Sequence, residues 1–250
     1  MLTELRHRDP LLFWIGAAML LTLVLVLLLS IGDTRLILGI NPWIKPMKFL
    51  VSITIFLWTV AWFIPETKPG RTLHTIRYTI SAAMIIEIAC ILLQAARGTT
   101  SHFNVSTVFD AVIFNTMGST IAINTIAMIV FLALVRRDTP PSRAGYLWGI
   151  RAGIALFLLA SFEGGLIVAN NAHTVGAPDG GPGLPIVNWS MEHGDLRIAH
   201  FFGMHAMQAL PLIGFLSRSR NLVISIGILW LAVMGGLVTL ALQGRPLLSL

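Results

Sequence analysis

The chain has 250 residues, 56% hydrophobic and only 11% charged, with a mean hydropathy of +0.82. Soluble domains carry about one-quarter charged residues, so the composition excludes an ordinary water-soluble domain and points to an integral membrane protein. The formal charge of +6 and pI near 10.4 do not indicate nucleic-acid binding, because the basic residues are scattered between apolar runs and line no polar groove; the lipid bilayer and its anionic headgroups are the expected partners.

Seven apolar runs, at 11–32, 47–65, 79–96, 111–135, 147–170, 196–216 and 221–243, are each long enough to cross a hydrocarbon core of about 30 Å. They take up most of the chain. The expected fold class is therefore all-α, a polytopic transmembrane helix bundle forming a single transmembrane domain over 1–250. Arg6 and Arg8 ahead of the first run resemble the start of a signal peptide, but the run is too long for an h-region and lacks a small-residue cleavage site, so it reads as an uncleaved first helix. The single cysteine, Cys90, lies within a span, which leaves no disulfide framework and no cysteine-based metal cage. Placing alternate loops on opposite sides puts eleven Lys and Arg on the N-terminal side and six on the other. That bias predicts a cytoplasmic N-terminus, an external C-terminus and residence in the cytoplasmic (inner) membrane. His102, His173, His193, His200 and His205 then all fall on the outer side.

The first span is Leu, Val and Ile after Trp14 and carries no chemistry. In the connection that follows, Trp43 is expected at the membrane interface. Lys45 and Lys48 break the positive-inside pattern, either as headgroup contacts or as a cationic rim for an anionic ligand. The second span ends at Pro65, and Glu66 to Arg77 reads as a basic loop. The third span places Glu87 on one face with Gln94 and close to Cys90, about 15 Å below Arg97 and near the bilayer midplane. An ionisable group at that depth marks a functional site by default and is expected to be neutral unless paired; the bland alternative is a protonated acid bonding a neighbouring helix. The loop from Arg97 to Asn104 gathers a cation, hydroxyls, an imidazole and an amide.

Ser106 or Thr107 is expected to cap the fourth helix ahead of Asp110, and Asn115 and Ser119 read as interhelical hydrogen-bonding groups. A stiff turn is expected over 136–143. The fifth span sets Glu163 about 10 Å below its outer end, where Gly164 and Gly165 permit close helix approach or a local distortion. The connection 171–194 is long and rich in Gly and Pro, with Leu184, Ile186, Val187 and Trp189 to fold it back over the helices, and it reads as an outer-side lid. In the sixth span, Arg197, His200, Met204 and Gln208 share a stripe roughly 80° wide, with His205 about 60° beyond its edge. The seventh span is apolar up to Gln243 and has no lysine for a retinal.

By depth, Glu163 matches His200 and Glu87 matches His205, which predicts two polar layers under an outer rim of Arg97, His102, Asp195 and Arg197. The leading reading is an outward-facing cavity that binds haem or a transition metal for redox or electron transfer. In it His200, His205, His102 and Met204 are the candidate metal ligands. Gln208, Arg97, Arg197 and Asp195 complete the cofactor surround, and Glu87 and Glu163 serve as acid–base groups. The alternative is a proton-coupled transporter of a small polar or anionic solute taken from the outer side. An intramembrane zinc hydrolase and a purely structural polar network remain further alternatives, so whether the chain is an enzyme stays open. His200 and His205 are five apart, which departs from the four-residue spacing of alkaline-ceramidase-like hydrolases.

Arg97-Gly-x-x-Ser-His-Phe-Asn104, Gly180-Gly-Pro-Gly-Leu-Pro185 and Gly194-Asp-Leu-Arg-x-Ala-His-Phe-x-x-x-His205 together resemble a family of uncharacterised multi-pass bacterial membrane proteins. The resemblance covers most of the outer half of the chain and implies a membrane fold in which these motifs group, with no activity to carry over.

Overall fold

The computed structural model describes residues 1–137 and 140–248. Seven of its helices are long and apolar enough to cross a membrane, and the only strands among the described residues are two of two residues each. The all-α, seven-span architecture is that of a multi-pass membrane protein. The chain packs as two compact units, Met1–Leu134 and Val135–Leu250.

The first unit contains α1 (Leu2–Arg8), α2 (Pro10–Gly32), α3 (Ile44–Phe63), α4 (Arg71–Arg97) and α5 (Val108–Leu134). Asp9 ends α1 and caps α2, its carboxylate accepting the Leu12 N–H at 2.9 Å, while Pro10 occupies the first helical position, where a missing N–H is harmless. The same buried Asp9 is ion-paired with Arg77 of α4. Arg8 donates to the Trp62 carbonyl at 2.8 Å and lies 4.1 Å over the Trp62 ring, so this corner ties α1, α2, α3 and α4 together. Further along, Phe13 and Trp58 stack with centroids 5.9 Å apart, and the indole N–H donates to the Phe13 carbonyl at 3.2 Å. Helix α4 is 56% buried along its most apolar stretch against 22% for α2, which makes α4 the centre of the unit. Its buried face includes Glu87, Cys90 and Gln94.

Several expectations change here. The basic stretch Arg71–Arg77, expected as loop, forms the first two turns of α4. Leu73, Ile76 and Ile80 are buried there, so the apolar face runs on past the point where average hydropathy falls, and long cationic side chains at a helix end can reach headgroups. The helix α1 was not anticipated. Trp43, expected at the membrane interface, directly precedes a span; it is buried against the protein, and its indole N–H donates to Asp33 at 2.8 Å. Asn115 bonds the Ala111 carbonyl of its own helix rather than a neighbouring one.

The second unit contains α6 (Ala144–Ala169), β1 (Thr174–Val175), β2 (Gly194–Asp195), α7 (Leu196–Ser217) and α8 (Arg220–Leu242). Helices α6 and α7 meet backbone to backbone. A Cβ added at Gly145, Gly149 or Gly153 would collide with the carbonyls of Gly214, Leu210 and Ala206 respectively, and the four-residue spacing of these glycines puts all three on one face. The close approach expected at Gly164–Gly165 therefore lies nearer the start of α6. Nothing comes within 4 Å of a Cβ at Gly165, and Gly164 faces the His200 ring. Trp230 fastens α8 to α7 by stacking on Phe202 at 4.4 Å and donating to its carbonyl at 3.0 Å.

The connection 171–194 does fold back. Strands β1 and β2 pair antiparallel with Thr174 opposite Asp195, and Trp189 packs edge-on to Phe201 at 5.5 Å. The turn expected over 136–143 lies partly outside the described residues, at 138 and 139. The α6–α7 seam makes a paired prediction for thermal unfolding in detergent. Gly149→Leu lowers stability by about 1–3 kcal/mol through overpacking, whereas Gly165→Ala is neutral or gains about 0.5–1 kcal/mol from reduced backbone freedom.

Candidate functional site

Polar side chains collect in both units, and each collection is built by a helix end and the loop beside it. In the first unit, Gly98 ends α4 in the left-handed region at φ 73°, and the following loop turns back to lead into α5. Gln94 donates to Asp110 at 2.9 Å and Arg97 reaches the same carboxylate oxygen at 2.5 Å. Thr107 donates to the other oxygen at 2.6 Å, while the Asp110 N–H donates back to the Thr107 hydroxyl at 3.1 Å. The expected cap is present, and Asp110 is in addition the acid that holds Arg97. Asn104, one turn earlier in the loop, donates to Thr99 at 2.9 Å and to the Thr100 carbonyl at 3.2 Å, which fixes the loop's shape.

Beside this knot lies a second set. The Lys45 ammonium is 3.0 Å from His102 Nδ1, and the Ser101 hydroxyl is 3.1 Å from the same nitrogen. An ammonium only donates, so Nδ1 is the acceptor and a neutral His102 carries its proton on Nε2. The imidazole sits among Phe49, Phe103 and Phe114, with centroids 6.1, 6.1 and 6.3 Å away. Lys45 is also the charge within electrostatic reach of Glu87. That carboxyl is 2% exposed, and its Oε2 accepts no hydrogen bond. Lys45 is thus part of a polar cluster rather than simply a headgroup contact. At the end of α2, Arg35 binds Asp33 at 2.6 Å; the guanidinium's hydrogen bonds hold the Asp33 carboxyl well below the usual carboxylate range.

In the second unit, the depth match between Glu163 and His200 becomes a contact. His200 Nδ1 lies 2.8 Å from the Ala160 carbonyl and 3.2 Å from Glu163 Oε2. A carbonyl only accepts, so Nδ1 carries a proton and Nε2 is the remaining position on the ring. Neither Glu163 oxygen has a hydrogen bond, although the carboxyl is buried within α6. One and a half turns further along α7, His205 packs on Phe201 at 4.3 Å and interacts with Gln208.

At the start of α7, Asp195 caps the helix by accepting the Arg197 N–H at 3.0 Å and grips the Arg197 side chain at 2.5 Å. Arg197 also donates to the Asn188 carbonyl at 2.5 Å, and Asp195 accepts the Ser190 N–H at 2.8 Å. These two residues, expected on a cofactor rim, thus lace the long connection to the helix. A cleft of about 290 Å³ opens in that connection, lined among others by Asp179, Asn188, Glu192, His193 and Arg197. Asp179 accepts from the His173 ring at 2.6 Å and from the His173 and Thr174 amides at 3.0 and 2.9 Å. Burial opposes its ionisation, but the His173 ring and the two amides outweigh it and hold the Asp179 carboxyl well below the usual carboxylate range.

Of the candidate metal ligands, His102 belongs to the first unit and His200, Met204 and His205 to the second. Among the described residues, no group of three or more His, Cys, Asp or Glu is placed to hold a metal ion. Sequence reasoning missed two partners. The Ala160 carbonyl has no side-chain signature, and Lys45 was marked only by sitting on the wrong side of the charge bias. Asp179, in a Pro-Asp-Gly-Gly turn, carried a legible turn signal that did not identify its partner. Comparison with protein-family models, curated proteins and solved structures finds no match to this chain.

Asp179 generates a pH prediction. Its value in the fold is depressed, so its contribution is fully present above the unfolded value of about 3.9 and is lost as pH falls below it. Asp179→Asn removes the charge and is expected to speed hydrogen exchange at the His173 and Thr174 amides about tenfold at neutral pH, as weakening charge-assisted bonds implies. Exchange followed by mass spectrometry checks this, and in the wild type the protection of the same amides relative to their intrinsic exchange falls on acidification.

Proposed function

We propose that the protein is a proton-coupled transporter of a small polar or anionic solute, working in the cytoplasmic membrane with its N-terminus in the cytoplasm. The observation that carries this reading is the Glu163–His200 contact, an acid and a base 3.2 Å apart with both carboxyl oxygens lacking hydrogen bonds. A buried acid left without donors inside a span is expensive to keep and is the usual mark of a proton-binding position. A structural network would have given those oxygens donors, as Asp110 and Asp195 have been given theirs. The Ala160 carbonyl sets the direction of the imidazole, so a proton has two defined resting places, the carboxyl and the ring. Gly164 contributes by lacking the side chain that would crowd His200 Cε1.

The haem or metal reading retains one supporting feature. His200 donates from Nδ1 to a carbonyl, which orients Nε2 as ligating histidines are oriented. An absorption spectrum with elemental analysis of protein purified in mild detergent, compared with His200→Ala and His205→Ala, separates this reading from transport. A stoichiometric metal or Soret band lost in either variant favours the cofactor.

The transport reading is tested in liposomes loaded with a pH-sensitive dye. Gradients of small carboxylates, phosphate and neutral polar solutes are applied from outside. A solute gradient is expected to drive proton movement in the wild type, and Glu163→Gln is expected to slow it by at least about tenfold, the scale set by losing one charged contact, with an unchanged melting temperature. Proton movement independent of every solute, or equally fast in Glu163→Gln, refutes the reading.

A further inference from the structure

Asp9, Asp110 and Asp195 each hold an arginine, but Arg151, in the second unit, is kept inside a span without such an acid. It lies two turns into α6, about 10 Å along the helix from Ala144, and its Nε and Nη2 are buried with no hydrogen-bond partner. Its guanidinium carbon is 5.9 Å from the centre of the Trp148 ring. Arg220, the first residue of α8, comes to the same indole at 4.4 Å. The glycine seam brings it there. A Cβ at Gly145 would strike the Gly214 carbonyl and the backbone of Arg218 and Ser219, so the start of α6 is pressed against the turn between α7 and α8, and Arg220 follows that turn directly. The helices supply no acid for these two charges: Glu163 is the single Asp or Glu in α6, α7 and α8, and it lies about 18 Å further along α6 than Arg151. An uncompensated guanidinium in a span is costly, and an anion from outside the chain offsets that cost.

We propose that Arg151 binds the phosphate of an anionic phospholipid, with Arg220 as the second cation and Trp148 as the aromatic that positions both. A guanidinium matches a phosphate in geometry as well as in charge, and basic pockets between membrane helices bind anionic headgroups. Tryptophan at headgroup depth is the ordinary companion of such a site. The source is a lipid rather than a free phosphate ion because of what lies beside the pair. Helix α8 is only 11% buried along its most apolar stretch, and Phe215, Leu216 and Leu222, on the two sides of the α7–α8 turn, are exposed. A free ion gives up water against that apolar surface without return, whereas a phospholipid lays its acyl chains on it. Arg151 is half-buried, so its charge is reached from the membrane, and Arg220 is exposed and sets the headgroup preference. A zwitterionic lipid brings its own cation toward two guanidinia, which favours phosphatidylglycerol over phosphatidylcholine. The site is a lipid contact at the corner of α6, α7 and α8 and does not depend on the transport reading.

The test is native mass spectrometry of the full chain released from detergent, titrated with phosphatidylglycerol, phosphatidylcholine or inorganic phosphate. The wild type is expected to retain phosphatidylglycerol at concentrations about tenfold below those needed for phosphatidylcholine, as two nearby cations imply, and to retain no inorganic phosphate. Arg151→Met is expected to weaken phosphatidylglycerol binding at least about tenfold, the scale of losing a hydrogen bond to a charged group. Arg220→Met, at an exposed helix start, is expected to weaken it about fivefold. Arg71→Met removes an exposed cation at the start of α4 and is expected to bind as the wild type does. In lipid-free detergent Arg151→Met is expected to melt no lower than the wild type, because no partner is lost, while added phosphatidylglycerol raises the melting temperature of the wild type and not of the variant. Wild-type binding by Arg151→Met, an equal loss in Arg71→Met, or phosphatidylcholine held as tightly as phosphatidylglycerol overturns the proposal. So does retention of inorganic phosphate in place of lipid, which makes the ligand a free ion, or a lower melting temperature of lipid-free Arg151→Met, which gives the guanidinium a partner within the chain.

Discussion

Hydrocarbon offers no hydrogen bonds, and the polar groups of this chain are arranged around that deficit. Backbone groups answer it with long helices, since a helix satisfies its own N–H and C=O groups inside one segment. Charged side chains answer it with partners. Asp9 has Arg77, Asp110 has Arg97, Gln94 and Thr107, and Asp195 has Arg197 together with the first turn of α7. Glu87 and Glu163, with buried oxygens that accept no hydrogen bond, stand apart from these acids. Both lie in spans, and the Glu163 carboxyl sits 3.2 Å from the His200 ring, the contact on which the transport proposal stands.

Packing in the second unit obeys the same constraint by other means. Lipid tails are as apolar as leucine, so burying leucine between helices gains little; van der Waals contact between backbones gains more. Gly145, Gly149 and Gly153 let α6 settle against the carbonyls of α7. Once α6 and α7 are locked in this register, Ala160 and Glu163 face His200. The acid–base contact is thus a consequence of a glycine seam more than one helical turn away, and the position of His200 depends on residues with no chemistry of their own.

The connection 171–194 shows how a long, glycine-rich segment gains shape without a core. Asp179 collects one ring and two amide donors, Arg197 ties the Asn188 carbonyl to α7, and Trp189 anchors on Phe201. Charge-assisted hydrogen bonds at the membrane surface replace the apolar burial that a soluble loop would use. The cleft they frame follows from the turns these bonds enforce.

Much of the architecture was legible in the amino-acid order because hydrophobicity, length and period are local properties. Seven spans, the shared face of Glu87 and Gln94, the cap at Asp110, the fold-back of 171–194 and the common depth of Glu163 and His200 all follow from residue type and a rise of about 1.5 Å per residue. The start of α4 at Arg71 was not legible, since a hydropathy average falls before the helical hydrogen bonds do. Nor was the partner of Trp43, whose indole N–H meets a specific acceptor at Asp33. The sequence by itself determined which groups are too costly to leave facing lipid. Only the tertiary structure decided which partner each one meets, because a partner such as the Ala160 carbonyl, or Lys45 arriving from another helix, is set by the register in which helices pack and has no signature along the chain.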